Sequence, residues 1–122
     1  MYQVGARILT LCPGKFVKAA VKNFPKHAGK NLLAASAYLT PNQVVSQFSE
    51  ASGKPAVFQQ VSDDDYKATL PPAAAQEMLE NMLLLEEPGY YAGADLADSL
   101  KMLEEKPTTW KEFVAANKAK WE

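Results

Sequence analysis

The sequence predicts an α/β fold: a helix-rich fragment with one βαβ unit (two short parallel strands) and several flanking helices. Three observations predict it. NLLAAS (31–36) and PAVFQQV (55–61) are apolar runs of strand length, the second rich in β-branched and aromatic residues and opened by a proline. Between them, YLTPNQVVSQFSEASG has strong helix start and stop signals. Outside this unit the apolar residues recur at helical spacing. Strand, capped helix and strand in this order and at this spacing make a right-handed crossover with parallel strands.

The elements follow in chain order. GKFVKAAVKNF places Phe16, Val17, Ala20, Val21 and Phe24 on one helical face, with Lys15, Lys18 and Lys22 opposite, and Pro25 and Gly29 bracket its end. After the first strand, Thr40 is an N-cap, Pro41 fits the first helical turn and Gln43 completes a capping box. Val44, Val45, Phe48 and Ala51 form that helix's apolar stripe, and Gly53 ends it. Ser62 then caps a short helix whose Asp63, Asp64 and Asp65 suit the positive end of the helix dipole. Pro71-Pro72 breaks it and opens AAAQEMLENMLLLEE, with Ala74, Ala75, Met78, Leu79, Met82 and Leu83 as the buried stripe, widened by Leu84 and Leu85. DLADSLKMLEE repeats the pattern through Leu96, Leu100 and Leu103. PTTWKEFVAANKAKW closes the chain, with Thr109 and Glu112 as a second capping box and Trp110, Phe113 and Val114 facing inward.

Bulk properties narrow the class. At 122 residues, 48% hydrophobic and 22% charged, the chain suits one globular domain with a modest core. No apolar run approaches the roughly 18–20 residues of a membrane helix. The opening MYQVGARILTLCPG is too short and too polar in its apolar part for a signal peptide. Cys12 is the only cysteine, so an intrachain disulfide and a cysteine-rich metal site are both excluded, and a cytoplasmic setting is the expectation. The net charge of −1 conceals an asymmetry of +6 for residues 1–61 against −7 for residues 62–122. A basic first half can mark a nucleic-acid surface. Here the lysines lack arginine forks and interleaved stacking aromatics, which points instead to a solvated helix face with attraction between the two halves, and to no direct nucleic-acid contact.

No catalytic constellation is visible. His27 is the sole histidine, in a lysine-rich turn, and reads as a surface residue. The aspartate run lacks the glycine turn and spaced bidentate acid of a calcium loop. No glycine pattern after a strand cradles a phosphate. The catalytic, cofactor and metal sets expected of this chain are therefore empty.

The succession GKFV, LAAS, YLTPNQVVSQFSEASGK, VFQQVSDDDY and EEPGYYAGADLADSLKMLEEKPTTWKEFV resembles the C-terminal part of the NmrA-like family, atypical relatives of the short-chain dehydrogenases/reductases. The resemblance spans about residues 14–117 and is strongest at GYYAGADL and KPTTWKEFV. It implies a division into an atypical N-terminal segment, 1–13, and an NmrA-like C-terminal domain, 14–122. Cys12-Pro13 stands where family members usually carry an aspartate and a small residue, which gives the expectation of a truncated or alternatively started product. Family members have an N-terminal Rossmann domain that binds NADP(H). Some resemble redox-sensing transcriptional regulators and others are NADP-dependent reductases. The glycine-rich cofactor turn is absent here, so no cofactor residue carries over.

The resemblance thus implies a regulatory or protein-interaction module, non-catalytic on its own and lacking a cofactor of its own, cytoplasmic or, in a regulatory role, nuclear. The alternative is a remnant of an NADP-dependent oxidoreductase that needs a Rossmann half for activity. A third option is an independent small-ligand binder using the tyrosine loop. The expected partner is a protein, with self-association through exposed apolar surface as a further option. Tyr90 and Tyr91, set between Gly89 and Gly93, are the candidates for cleft or interface contacts, together with Trp110. The competing reading packs at least one of the two rings against the final helix near Trp110.

Overall fold

The computed structural model describes residues 12–121. Six α-helices follow in order: α1 (Cys12–Lys22), α2 (Pro41–Ser52), α3 (Asp63–Ala68), α4 (Pro72–Glu86), α5 (Ala97–Lys101) and α6 (Trp110–Ala116), with a closing 3-10 turn at Lys118–Trp121. The structure is 54% helical, and the described residues form no β-strand or sheet.

The βαβ unit is thereby corrected. Its helix is present and its two strands are not. Residues 31–35 and 55–62 run without helix, turn or bend but share no ladder. Three of their amides have side-chain or local partners: Leu33 N–H donates to Ser99 Oγ at 2.9 Å, Ala35 N–H to Leu33 O at 2.9 Å, and Ala56 N–H to Ser49 Oγ at 2.9 Å. The physical reason is that parallel pairing is the weaker ladder and persists where both sheet faces are covered, usually in larger sheets. Strand propensity alone does not supply that cover.

The caps match their sequence signals. Thr40 and Gln43 exchange both bonds of a capping box at the start of α2, with Pro41 in its first turn and Gly53 closing it in the left-handed region at φ 78°. Ser62 Oγ accepts from Asp65 N–H at α3. Thr109 and Glu112 form the second capping box at α6. Each such cap is worth about 1 kcal/mol. The fifth helix is shorter than the periodicity predicts, ending at Lys101, so Leu103 lies in the following loop.

Phe16, 3% exposed, is the centre of the core, packed by Leu32, Leu100, Leu103, Trp110 and Phe113. Val114 is fully buried, and Trp110 lies over Phe113 with ring centroids 5.9 Å apart while its indole N–H donates to Val44 O at 2.9 Å. That bond ties α6 to α2. Trp121 packs edge-on against Phe48 at 5.4 Å and reinforces the same contact.

Helix α1 departs from its predicted face. Phe16 and Ala19 point inward, while Val17, Val21 and Phe24 are 63%, 70% and 71% exposed. The expected stripe is therefore split, and the reason is electrostatic as well as steric. Lys18 reaches Glu104 at 3.1 Å and Glu105 at 3.3 Å, Lys22 reaches Glu104 at 2.5 Å, and Lys15 reaches Glu105 at 3.8 Å. Lys15 also donates to Lys106 O at 2.8 Å. The lysines of α1 thus meet the loop after α5. Across the molecule, Lys111 pairs with Glu50 at 2.7 Å. The charge asymmetry of the sequence is thus partly spent within the fold.

Two outcomes follow from this packing. Phe16→Ala removes the aromatic at the core's centre and is expected to lower stability by about 3–5 kcal/mol, read by denaturant unfolding. The lysine row predicts a pH profile. Hydrogen bonds from Lys22 and then Lys18 hold the Glu104 carboxyl below its ordinary 4.5, so its contribution is present above that value and lost as pH falls through the depressed one. Hydrogen bonds to Glu104 and then Glu105 raise the Lys18 ammonium above 10.5, so its contribution is present below that value and lost as pH rises through the raised one. Thermal melts should be nearly flat between these limits with respect to this row, and Glu104→Gln should shrink the acid-side fall. An unchanged acid limb in that variant would remove the row from the account.

Candidate functional site

The tyrosine loop is built by backbone geometry. Gly89, Ala92 and Gly93 have φ of 86°, 50° and 71°, the left-handed region that glycine enters freely and alanine does not. Successive turns are closed by Ala92 N–H to Gly89 O at 3.1 Å and Ala94 N–H to Tyr91 O at 3.0 Å. Tyr38 fastens the far end, its hydroxyl donating to Ala94 O at 2.7 Å. Asp95 Oδ1 then accepts from Ala97 N–H at 2.9 Å as α5 begins.

Within this frame the rings of Tyr90 and Tyr91 meet edge to face, 4.8 Å apart at 86°. Tyr90 is 44% exposed and Tyr91 is half-buried. Trp110 belongs to the core cluster around Phe16, and its one polar hydrogen is committed to Val44 O. The structure therefore pairs the two tyrosines with each other and stacks the half-buried tryptophan on Phe113.

Sequence periodicity missed a cleft of about 220 Å3 between the 58–62 segment, the start of α3 and α4. Phe58, Val61, Tyr66, Leu79, Met82 and Leu83 are among its walls, with Gln59 and Glu86 also lining it. Four of these apolar residues, Phe58, Val61, Met82 and Leu83, are 42–52% exposed. Nothing in the periodicity of α4 signals a concavity, because half of it comes from an irregular segment. A wider hollow of about 660 Å3 between α2 and α6 is lined by Asn42, Gln43, Ser46, Gln47 and the Glu50–Lys111 pair. The bonded Lys111 ammonium holds the Glu50 carboxyl below its ordinary range.

Among the described residues, no group of three or more His, Cys, Asp or Glu side chains converges. Asp63, Asp64 and Asp65 act as the first turn of α3, with Asp64 paired to Lys67 at 3.0 Å. No helix among these residues is long and apolar enough to cross a membrane. Cys12 opens α1.

The sequence resemblance runs from GKFV through the tyrosine loop to TTWKEFV. The NmrA-like family model matches residues 13–114, so the chain belongs to the NmrA-like family. No curated protein and no solved structure matches it.

Alanine scanning separates the two tyrosines. Tyr90→Ala should cost no more than about 0.5–1.5 kcal/mol, the worth of one edge-to-face pair. Tyr91→Ala should cost more, because its ring is the more buried of the two. Paired thermal melts check this. A loss of about 3–5 kcal/mol for Tyr90→Ala would make that ring a core plug and remove it as a contact residue.

Proposed function

We propose that this chain is a protein-interaction module corresponding to the C-terminal part of the NmrA-like architecture, non-catalytic by itself and docking a protein surface through α1. The observation that carries this reading is the two-faced character of α1. One side is fixed inward by Phe16 and Ala19 and steered by three lysines. The other presents Val17 and Val21 to solvent, with Phe24 in the turn just beyond, each more than 60% exposed. Exposed apolar surface marks interaction sites in soluble domains where it is contiguous. Membership of the NmrA-like family supports an NADP(H)-binding Rossmann half as the docked surface, with regulation as its purpose. The partly exposed Tyr90 is a second contact point, since a tyrosine offers a broad apolar face with a polar tip. The sequence carries no glycine turn to cradle a cofactor phosphate, so NADP(H) would be held by the docked half.

The test uses the full chain. A dye that fluoresces on apolar surface should bind it, and Val21→Ser with Phe24→Ser should reduce that signal severalfold without altering helix content. Equilibrium dialysis with NADPH should show no retention by the chain alone. Retention would overturn the absence of a cofactor site. NADPH oxidation appearing only when a family Rossmann domain is added would favour the reductase-remnant reading over the regulatory one.

A further inference from the structure

The cleft beside α4 is lined by apolar side chains and by charge of one sign. Leu79, Met82, Leu83 and Glu86 follow the spacing i, i+3, i+4, i+7, so one face of α4 brings three apolar side chains and then a carboxylate. Across from them Phe58 and Tyr66 bring aromatic rings, and Asp63 brings a second carboxylate. The lining contains no lysine, arginine or histidine. Neither acid is neutralised from elsewhere, since no ion pair among the described residues involves Asp63 or Glu86. Lys67, the basic residue nearest to Asp63 in sequence, pairs with Asp64 at 3.0 Å. Helix α4 carries no basic residue that could fold back over Glu86.

From this we infer that the cleft binds a small organic cation, an ammonium group carried by a short chain on an apolar ring. Size limits the body of the ligand. A volume of about 220 Å3 is below the roughly 300–1,000 Å3 of pockets for drug-sized molecules, and about 150 Å3 already holds benzene. Composition sets its character, because the buried Leu79 and the half-exposed Phe58, Met82 and Leu83 offer an apolar body a place out of water. Charge sets its polar end. Each side of the cleft contributes one carboxylate and neither contributes a cation, so an ammonium is attracted and a carboxylate or phosphate is repelled. Aromatic walls add to that preference, since ring faces attract organic cations. A neutral molecule of the same shape receives the apolar part of the interaction alone.

The site uses none of the α1 residues, so it stands or falls apart from the docking reading above. Methionine-methyl NMR of the full chain, titrated with 2-phenylethylammonium, should move the Met82 resonance and leave that of Met102 in place. The ammonium should bind about tenfold more tightly than 2-phenylethanol, and 3-phenylpropionate should not bind. Glu86→Gln and Asp63→Asn should each weaken the ammonium about threefold and leave the alcohol unchanged. Added salt should likewise weaken the ammonium alone. Met82→Trp fills the cleft and should abolish binding of both. If that variant loses its helical circular dichroism, the Met82 shift in the unaltered chain decides. An alcohol that binds as tightly as the ammonium overturns the inference. So does an ammonium affinity that both carboxamide variants leave intact, a bound ammonium that leaves the Met82 methyl unmoved, or a titration that never saturates.

Discussion

The burial of Phe16 is the interaction on which the remaining architecture depends. One ring from α1 gathers Leu32 from the segment after it, Leu100 and Leu103 from α5 and its loop, and Trp110 and Phe113 from α6. Those residues are far apart in sequence and have no ladder to align them. Without the ring, the helices around it would share little apolar surface, because the fully buried hydrophobic set is small. From Trp110 the connection continues through the indole bond to Val44, so α2 is held at one remove from the same centre. The arrangement suits a domain that is too short of β-structure to use a sheet as its scaffold.

Electrostatics refine what packing begins. A lysine every three or four positions along α1 forms a row, and two consecutive glutamates after α5 give it a target. Such pairs are worth little individually at the surface. Lys15, Lys18 and Lys22 all reach the one loop after α5, while Val17 and Val21 of the same helix stay exposed.

Helix boundaries were the most legible part of the sequence. Thr40-Pro41 with Gln43, Ser62 before the aspartates, and Thr109 with Glu112 are local devices, and local chemistry is sufficient to set them. The tyrosine loop was legible for a similar reason, since Gly89 and Gly93 announce the positive φ values they adopt. Strands are different. NLLAAS and PAVFQQV carry the composition of strands, but a strand exists only by agreement with a neighbour, and composition does not record whether the neighbour is there. The same limit explains α1: helical periodicity placed Phe16 and Val17 together, whereas the choice between them depends on Leu100, Leu103 and the glutamates some 85 residues away. The cleft beside α4 was invisible because one of its walls is irregular chain.

The last turn of α2 holds more than its own backbone. Ser49 donates to Val45 O at 2.9 Å and accepts from Ala56 N–H, while Ser52 donates to Phe48 O at 2.7 Å and accepts from Lys54 N–H at 3.1 Å. Two hydroxyls thus grip the outgoing chain on either side of the Gly53 bend. The segment beyond consequently leaves α2 with the amides of Lys54 and Ala56 fixed by that helix. At its far end Ser62 caps α3, so the chain between α2 and α3 is fastened at both ends by serine hydroxyls.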